Sequence, residues 1–282
     1  LIAWWSRIFS FYVPDEKDRI ELRFLCRLFR DALKPTPLYT TFPHPKYPTL
    51  DRLMDKLNSV HQEDANKAPK IVFVMKGTFH IPVTKNKYGQ DVNYVTIEYP
   101  IMIIGAGQDK TIIHGGFKIQ GKSKEGKKVV LQDMSMMDSI DSGLVGDNGL
   151  SFLCERMTFT QCSCGVSANN AKGRLINCVI TQCDLSGIFS GRNALIELEG
   201  SQTKVEGNCT STSGKSYRYG LDALNTSSRI HLLYPLTKES VSTKNGGGRN
   251  YGSYYGTAGT IQTVNSFTAT TLQQQTDMPK TN

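Results

Sequence analysis

Met134-Ser-Met-Met-Asp-Ser139, Met157-Thr-Phe-Thr-Gln-Cys162 and Cys178-Val-Ile-Thr-Gln-Cys183 begin 23 and then 21 residues apart and share one pattern: two core-type residues on alternate positions, then a bend. A strand sends alternate side chains to one face, so each pair points inward, and recurrence every 20 to 25 residues stacks like on like. No unit of this length can bury its apolar face alone, so the fold expected is a solenoid of stacked coils. The same pairing extends to Phe117 and Ile119 before these stretches and to Thr203 and Val205 after them. Ser139, Cys162, Cys183 and Asn208 hold the equivalent place at the bend, where small or hydrogen-bonding residues suit a narrowing interior.

Composition sets wider bounds. The chain has 282 residues, 39% hydrophobic and 21% charged, which is ordinary for a soluble globular protein. Leu1-Ile-Ala-Trp-Trp5 is too short an apolar run for a spanning helix and lacks the pattern of a signal peptide, so no membrane span is expected. The net charge of +8 is a modest surplus. Its densest run, Lys118, Lys122, Lys124, Lys127 and Lys128, is broken by Gly and Glu125 without interleaved aromatics, which argues for a solvated loop over nucleic-acid binding. Seven cysteines fall mostly inside the repeats at strand-like positions, so reduced thiols packed as small hydrophobes are expected, in the cytoplasm or nucleus. Cys162-Ser-Cys164 lacks the spacing of a zinc knuckle, and neither metal nor cofactor is expected. The triplets Asn208-Cys-Thr210 and Asn225-Thr-Ser227 are formal glycosylation acceptors that arise by chance in a chain rich in Ser and Thr.

Ahead of the repeats, Leu50, Leu53, Met54, Leu57 and Val60 fall on one face of a three-turn helix that Thr49 could cap. Lys70-Ile-Val-Phe-Val-Met-Lys-Gly77 then reads as a buried strand. A coil end exposes unpaired backbone, so a helix is expected there as a lid. The order of helix, strand, Gly77-Thr-Phe79 and Ile103-Ile-Gly-Ala-Gly107 resembles the opening of the pectin-lyase-like right-handed β-helix family. The resemblance implies an all-β, right-handed parallel β-helix over residues 49–242, with acidic polysaccharides among the substrates of its enzymes.

Residues 1–42 read differently, with Leu22, Leu25, Cys26, Leu28, Phe29, Ala32 and Leu33 at helical spacing until Pro35 and Pro37. Ile8-Phe9-Ser-Phe-Tyr12, Asp18-Arg19, the run Leu22 to Leu33, and Leu38-Tyr39 together resemble an F-box. That resemblance implies a Skp1-type adaptor as partner, contacted through Ile8, Phe9, Leu22, Leu25, Cys26 and Phe29. A small helical segment packed on the main domain accounts for the same residues. Pro43, Pro45 and Pro48 predict a stiff linker over 43–48, and the Gly/Tyr/Thr-rich stretch 243–282 reads as a low-complexity tail.

No constellation of catalytic residues emerges at this level. The outward positions Asp133, Arg156 and Asn177, and Ser135, Thr158 and Val179, hold no two carboxylates in one register. Asp138 and Asp141 fall at a bend, while Asp184, Glu197 and Glu199 look scattered and solvated. His114 stands at a turn with no acid near it in sequence, and neither it nor His231 has a defensible spacing to Cys164. A non-enzymatic recognition or scaffold protein, an F-box-type substrate adaptor in its sharpest form, therefore ranks first. A structural subunit docked to assembly neighbours ranks close behind, and a polysaccharide lyase or hydrolase third.

Overall fold

In the computed structural model of the protein the residues described are 39–121, 127–211, 218–246, 249–253 and 257–265. The chain divides into two compact units at Leu38/Tyr39, and all of these residues belong to the second. The F-box-like stretch, with Ile8, Phe9, Leu22, Leu25, Cys26 and Phe29, lies outside the described residues.

Each coil runs through three faces. The first stacks β1 (Tyr39–Phe42), β2 (Ile71–Val74), β7 (Met102–Ile104), the leading halves of β10 (Lys128–Met137) and β12 (Ser151–Thr160), then β14 (Lys172–Ile176), β17 (Leu195–Glu199), β20 (Arg229–Leu233) and β23 (Thr260–Val264). The second stacks β3 (Gly77–His80), β8 (Thr111–His114), the trailing halves of β10 and β12, β15 (Val179–Thr181), β18 (Lys204–Glu206) and β21 (Ser242–Thr243). The third stacks β6 (Tyr94–Ile97), β9 (Gly116–Gly121), β11 (Ser142–Gly149), β13 (Cys164–Asn169), β16 (Ile188–Gly191), β19 (Leu221–Ala223) and β22 (Tyr251–Gly252). All pairings between these strands are parallel, and the antiparallel hairpin β4 (Thr84–Lys85) with β5 (Asp91–Val92) projects from the second coil. This is a parallel β-helix.

The repeat read from sequence is one coil. Met134 pairs directly with Met157, and Met136, Phe159, Ile180 and Val205 follow one another through the pairings of the second face, all fully buried. Interior stacking thus fixes register, because a one-residue slip would turn every apolar pair outward.

The corners are less visible in sequence. Between the first and second faces Asp133, Arg156, Asn177 and Gly200 have φ of 57°, 49°, 52° and 87°. Between the second and third, Asp138, Gln161, Gln182, Gly207 and Lys244 lie at 54°, 53°, 54°, 66° and 54°. A single left-handed residue turns the chain sharply enough to pass from one flat strand to the next. It costs a residue with a Cβ about 1 kcal/mol, which the surrounding ladder of hydrogen bonds offsets.

The lid is α1 (Leu50–Glu63), whose buried face is Leu50, Leu53, Met54 and Leu57. Burial of each such side chain contributes about 1.5–3 kcal/mol. Asn58 at 7% exposure ties the helix to the third face: its Nδ2 donates to the Thr96 carbonyl at 2.9 Å, and its Oδ1 accepts from the Glu98 amide at 3.2 Å. The capping role expected of Thr49 is not met; its backbone carbonyl accepts from Leu53, while its side chain makes no capping bond.

Both predicted boundaries shift. Tyr39–Phe42 pairs residue for residue with Ile71–Val74, so among the described residues the β-helix reaches back to 39, ahead of the expected 49, because Tyr-Thr-Thr-Phe is a β-favouring run that adds to the first face. The proposed linker at 43–48 contains a turn bridged by His44 and Tyr47. At the other end Thr260–Val264 pairs with Arg229–Leu233, and Tyr251 and Gly252 with Leu221 and Asp222, so the β-helix runs into what composition marks as tail.

Some glycines are demanded by the interior. A Cβ on Gly173 would run into the ring of Phe152, itself 2% exposed and enclosed on all sides. Gly173→Ala is expected to lower stability by about 1–3 kcal/mol through overpacking, read as a lower urea midpoint with an unchanged m-value.

Candidate active site

The outward side of the first face changes character along the axis. The row Ile71, Met102, Val130 and Leu153 is apolar, and the same row continues as Arg174, Glu197, His231 and Gln262. Glu197 lies between the buried Ile196 and Leu198, so the pleat directs it outward, and Glu199 projects from the same face about 6.7 Å further along the strand. Arg174, on the preceding coil, donates to Glu199 Oε2 from Nε at 2.9 Å and from Nη2 at 2.7 Å.

These two carboxylates sit in different surroundings. Burial pushes the Glu197 carboxyl up from its ordinary value; Arg174 and Lys172 pull it down and Glu199 raises it further, with burial prevailing. Glu199 is held by the guanidinium. On the other side of Glu197, His231 is 4% exposed and its Nε2 has no hydrogen-bond partner. Burial, reinforced by Arg229, pushes the imidazole down, so an uncharged ring faces the acid's strand. The signs differ, and so do the pH windows. His231 binds a proton more weakly folded than unfolded, so its contribution to stability is lost as pH falls from about 6.5 towards the depressed folded value. His231→Leu removes a buried unpaired nitrogen and is expected to stabilise the protein by about 1 kcal/mol at pH 5, with a smaller gain at pH 8, measured by urea denaturation at both.

Two coils nearer the lid the charges pair among themselves. Arg156 grips Asp133 bidentately, Nε to Oδ1 at 2.7 Å and Nη2 to Oδ2 at 3.0 Å, and approaches Glu155 at 3.9 Å. The Arg156–Asp133 pair joins adjacent coils at the corner.

A second constellation lies on the second face. His114 Nδ1 is 2.7 Å from Asp138 Oδ2, and the ring of His80 stacks on that of His114 with centroids 4.4 Å apart and planes at 13°. The expectation that His114 has no acid beside it is therefore corrected. Asp138 comes from the next coil, and the His80 ring from the coil before.

The described cysteines are free, and all but the partly exposed Cys164 are buried. Burial pushes Cys164 and Cys178 up to about 12 and Cys209 up to about 11, while the hydrogen bond with Cys162 together with burial pushes Cys183 up. None of these four is poised as a thiolate nucleophile. Among the described residues no group of three or more His, Cys, Asp or Glu side chains is arranged to hold a metal ion. No described helix is long and apolar enough to cross a membrane.

Glu197 and Glu199, which sequence reading leaves as scattered charges, are thus brought together with Arg174 and His231. The signal was present as Leu195-Ile-Glu-Leu-Glu199, where a two-residue spacing in a strand means one face.

No protein-family model and no curated protein matches the chain. Among solved structures it is similar to the catalytic domain of a GH87 alpha-1,3-glucanase in complex with nigerose, with 14% identity, a TM-score of 0.43, and coverage of 82% of this chain and 46% of that one. It is also similar to the Agl-KA catalytic domain, with 11% identity, a TM-score of 0.41, and coverage of 82% and 54%. The chain thus spans about half the length of these domains.

Proposed function

We propose that the outward first face acts on a polysaccharide by hydrolysing a glycosidic bond, with Glu197 as the acid and Glu199 as its partner carboxylate. The observation that carries this is the pair itself: two carboxyl groups on one outward, half-buried strand face, one raised by burial and the other held by Arg174. Such divergence of environment is what separates an acid from a base at one pH. Glu197 donates its proton to the glycosidic oxygen as the C–O bond breaks. Glu199 accepts a proton from the water that adds to the anomeric carbon. Arg174 keeps Glu199 oriented, and the neutral His231 adds no charge that would draw the proton off Glu197.

A second reading is recognition without turnover. The pairing of Arg174 with Glu199, like that of Arg156 with Asp133, also serves to stitch coils together. A screen of neutral α- and β-glucans and of polyuronides for released reducing ends separates the two. Turnover that disappears in the Glu197→Gln protein supports hydrolysis. Binding of a polymer with no turnover above that of a Glu197→Gln/Glu199→Gln double variant overturns it in favour of recognition.

A further inference from the structure

Away from the first face, at the corner where the third face returns below the C-terminal end of α1, the surface sinks into a groove of about 520 Å³. Its walls carry His61, Gln62, Glu98, Gln120, Asp147 and Asn148. Three successive coils build it, since Ile97 pairs with Ile119 and Gln120 with Asp147, which puts Glu98, Gln120 and Asp147 at matching positions about 4.8 Å apart along the axis.

The groups in it are set in orientation. Glu98 accepts from Gln62 Nε2 at 2.8 Å through Oε2 and from Gln120 Nε2 at 3.0 Å through Oε1. Asp147 Oδ1 accepts from Asn148 Nδ2 at 2.7 Å, and Asn148 Oδ1 from Asn170 Nδ2 at 3.3 Å. With their N–H groups turned to Glu98, the two glutamines hold their carbonyl oxygens fixed. His61 stacks on the buried Tyr99 at 4.3 Å and 12°, which holds its ring flat at the edge of the groove.

This chemistry selects a ligand class. Among the described residues Glu98 and Asp147 line the groove and no Lys or Arg does, so an anionic ligand is disfavoured. A bare cation finds both Glu98 oxygens already accepting from amides. A neutral ligand with many hydroxyls finds what it needs: fixed amide carbonyls and a carboxylate oxygen to accept from it, and a flat ring to pack on. We propose that this groove binds a neutral oligosaccharide, at a site distinct from the Glu197–Glu199 pair. It rests on the proposed function only for the expectation that the protein meets polysaccharide.

The test uses protein carrying Glu197→Gln and Glu199→Gln, so that turnover plays no part. Neutral glucose hexamers with α-1,3, α-1,4, β-1,3 and β-1,4 links, and hexagalacturonate, are titrated by calorimetry and by NMR. At least one neutral hexamer is expected to bind, with affinity falling tenfold or more in Gln120→Ala and in Asp147→Ala while the melting temperature holds. Absence of binding by every neutral hexamer at millimolar concentration, affinity unchanged in both variants, or hexagalacturonate binding as tightly at the groove would overturn the proposal. Because the catalytic pair is already disabled, none of these outcomes depends on whether the first face hydrolyses anything.

Discussion

Glu197→Gln is expected to lower polysaccharide turnover by about 10²- to 10⁴-fold with little change in KM, because the amide keeps the side chain's shape but has no proton to give in the transition state. The pH behaviour provides a second readout. Only the protonated carboxyl donates, so wild-type turnover falls as pH rises through the raised Glu197 value, and the residual turnover of the variant lacks that limb. The stability contribution of this group is lost in the same direction. A carboxyl whose folded value lies above its unfolded one contributes stability that is present below the unfolded value, about 4.5, and is lost as pH rises through the folded value. At pH 8 the burial penalty falls on the ionised wild-type group, so the variant should be at least as stable as wild type, and the advantage should vanish at pH 4. A dead enzyme that melts no lower than wild type at pH 8 is therefore expected. A variant that retains full turnover removes Glu197 from the mechanism, whatever its melting temperature.

The inward half of this protein is legible in its sequence because two periods agree there. Alternation by two marks Met157 with Phe159 and Cys178 with Ile180 as core pairs, and the coil period aligns one pair above the next. Outward positions carry only the second period, and it must be followed through loops of unequal length. Arg174 and Glu197 are 23 residues apart, as Met134 and Met157 are, and pair directly. His231 stands further away because more residues separate β18 from β19, which hides the pairing of Glu197 with His231. His114 and Asp138 are 24 residues apart, so a search for an acid near His114 in sequence misses one that lies a single coil away. The corners are hidden for another reason. Asp, Arg, Gln and Lys take the left-handed conformation in this chain as well as Asn and Gly, so residue type does not announce the turn. At the two ends, β1 and β23 are too short to show a period, and the neighbouring edge that offers them hydrogen bonds fixes their place in the sheet.

Asn208→Leu is expected to cost about 3 kcal/mol or more, the largest stability loss foreseen for a single side chain. The bend column that begins with Ser139 and two thiols changes chemistry at Asn208 and Asn245, which are 1% and 2% exposed. Asn208 Nδ2 donates to the carbonyls of Ile180 at 3.0 Å and Glu206 at 3.3 Å and to Asn245 Oδ1 at 3.1 Å, while its Oδ1 accepts from the Cys183 amide at 3.1 Å. Asn245 repeats the arrangement one coil on, donating to the Val205 carbonyl at 3.1 Å and accepting from the Asn208 amide at 3.0 Å. An apolar side chain of similar volume is sometimes a neutral exchange for a buried polar one when both partners are replaced together. Here the partners other than Asn245 Oδ1 are main-chain groups, which no side-chain substitution removes. Leucine would leave the Cys183 N–H and the Ile180 carbonyl without their bonds to this side chain, in an interior closed to water. The same burial keeps the formal acceptor Asn208-Cys-Thr210 out of reach of glycosylation in the folded protein. For a domain of this size the loss corresponds to a fall in melting temperature of roughly 6–12 °C. Cys183→Ala removes a thiol whose Sγ contact with the Thr181 carbonyl is long, 3.5 Å, and should cost clearly less. A double-mutant cycle with Asn245→Leu should show coupling of about 1 kcal/mol or more, since each asparagine completes the other. If Asn208→Leu were as stable as wild type, the column would be filling space at the bend, and register at this corner would have to come from the apolar stacking of Ile180 and Val205 alone.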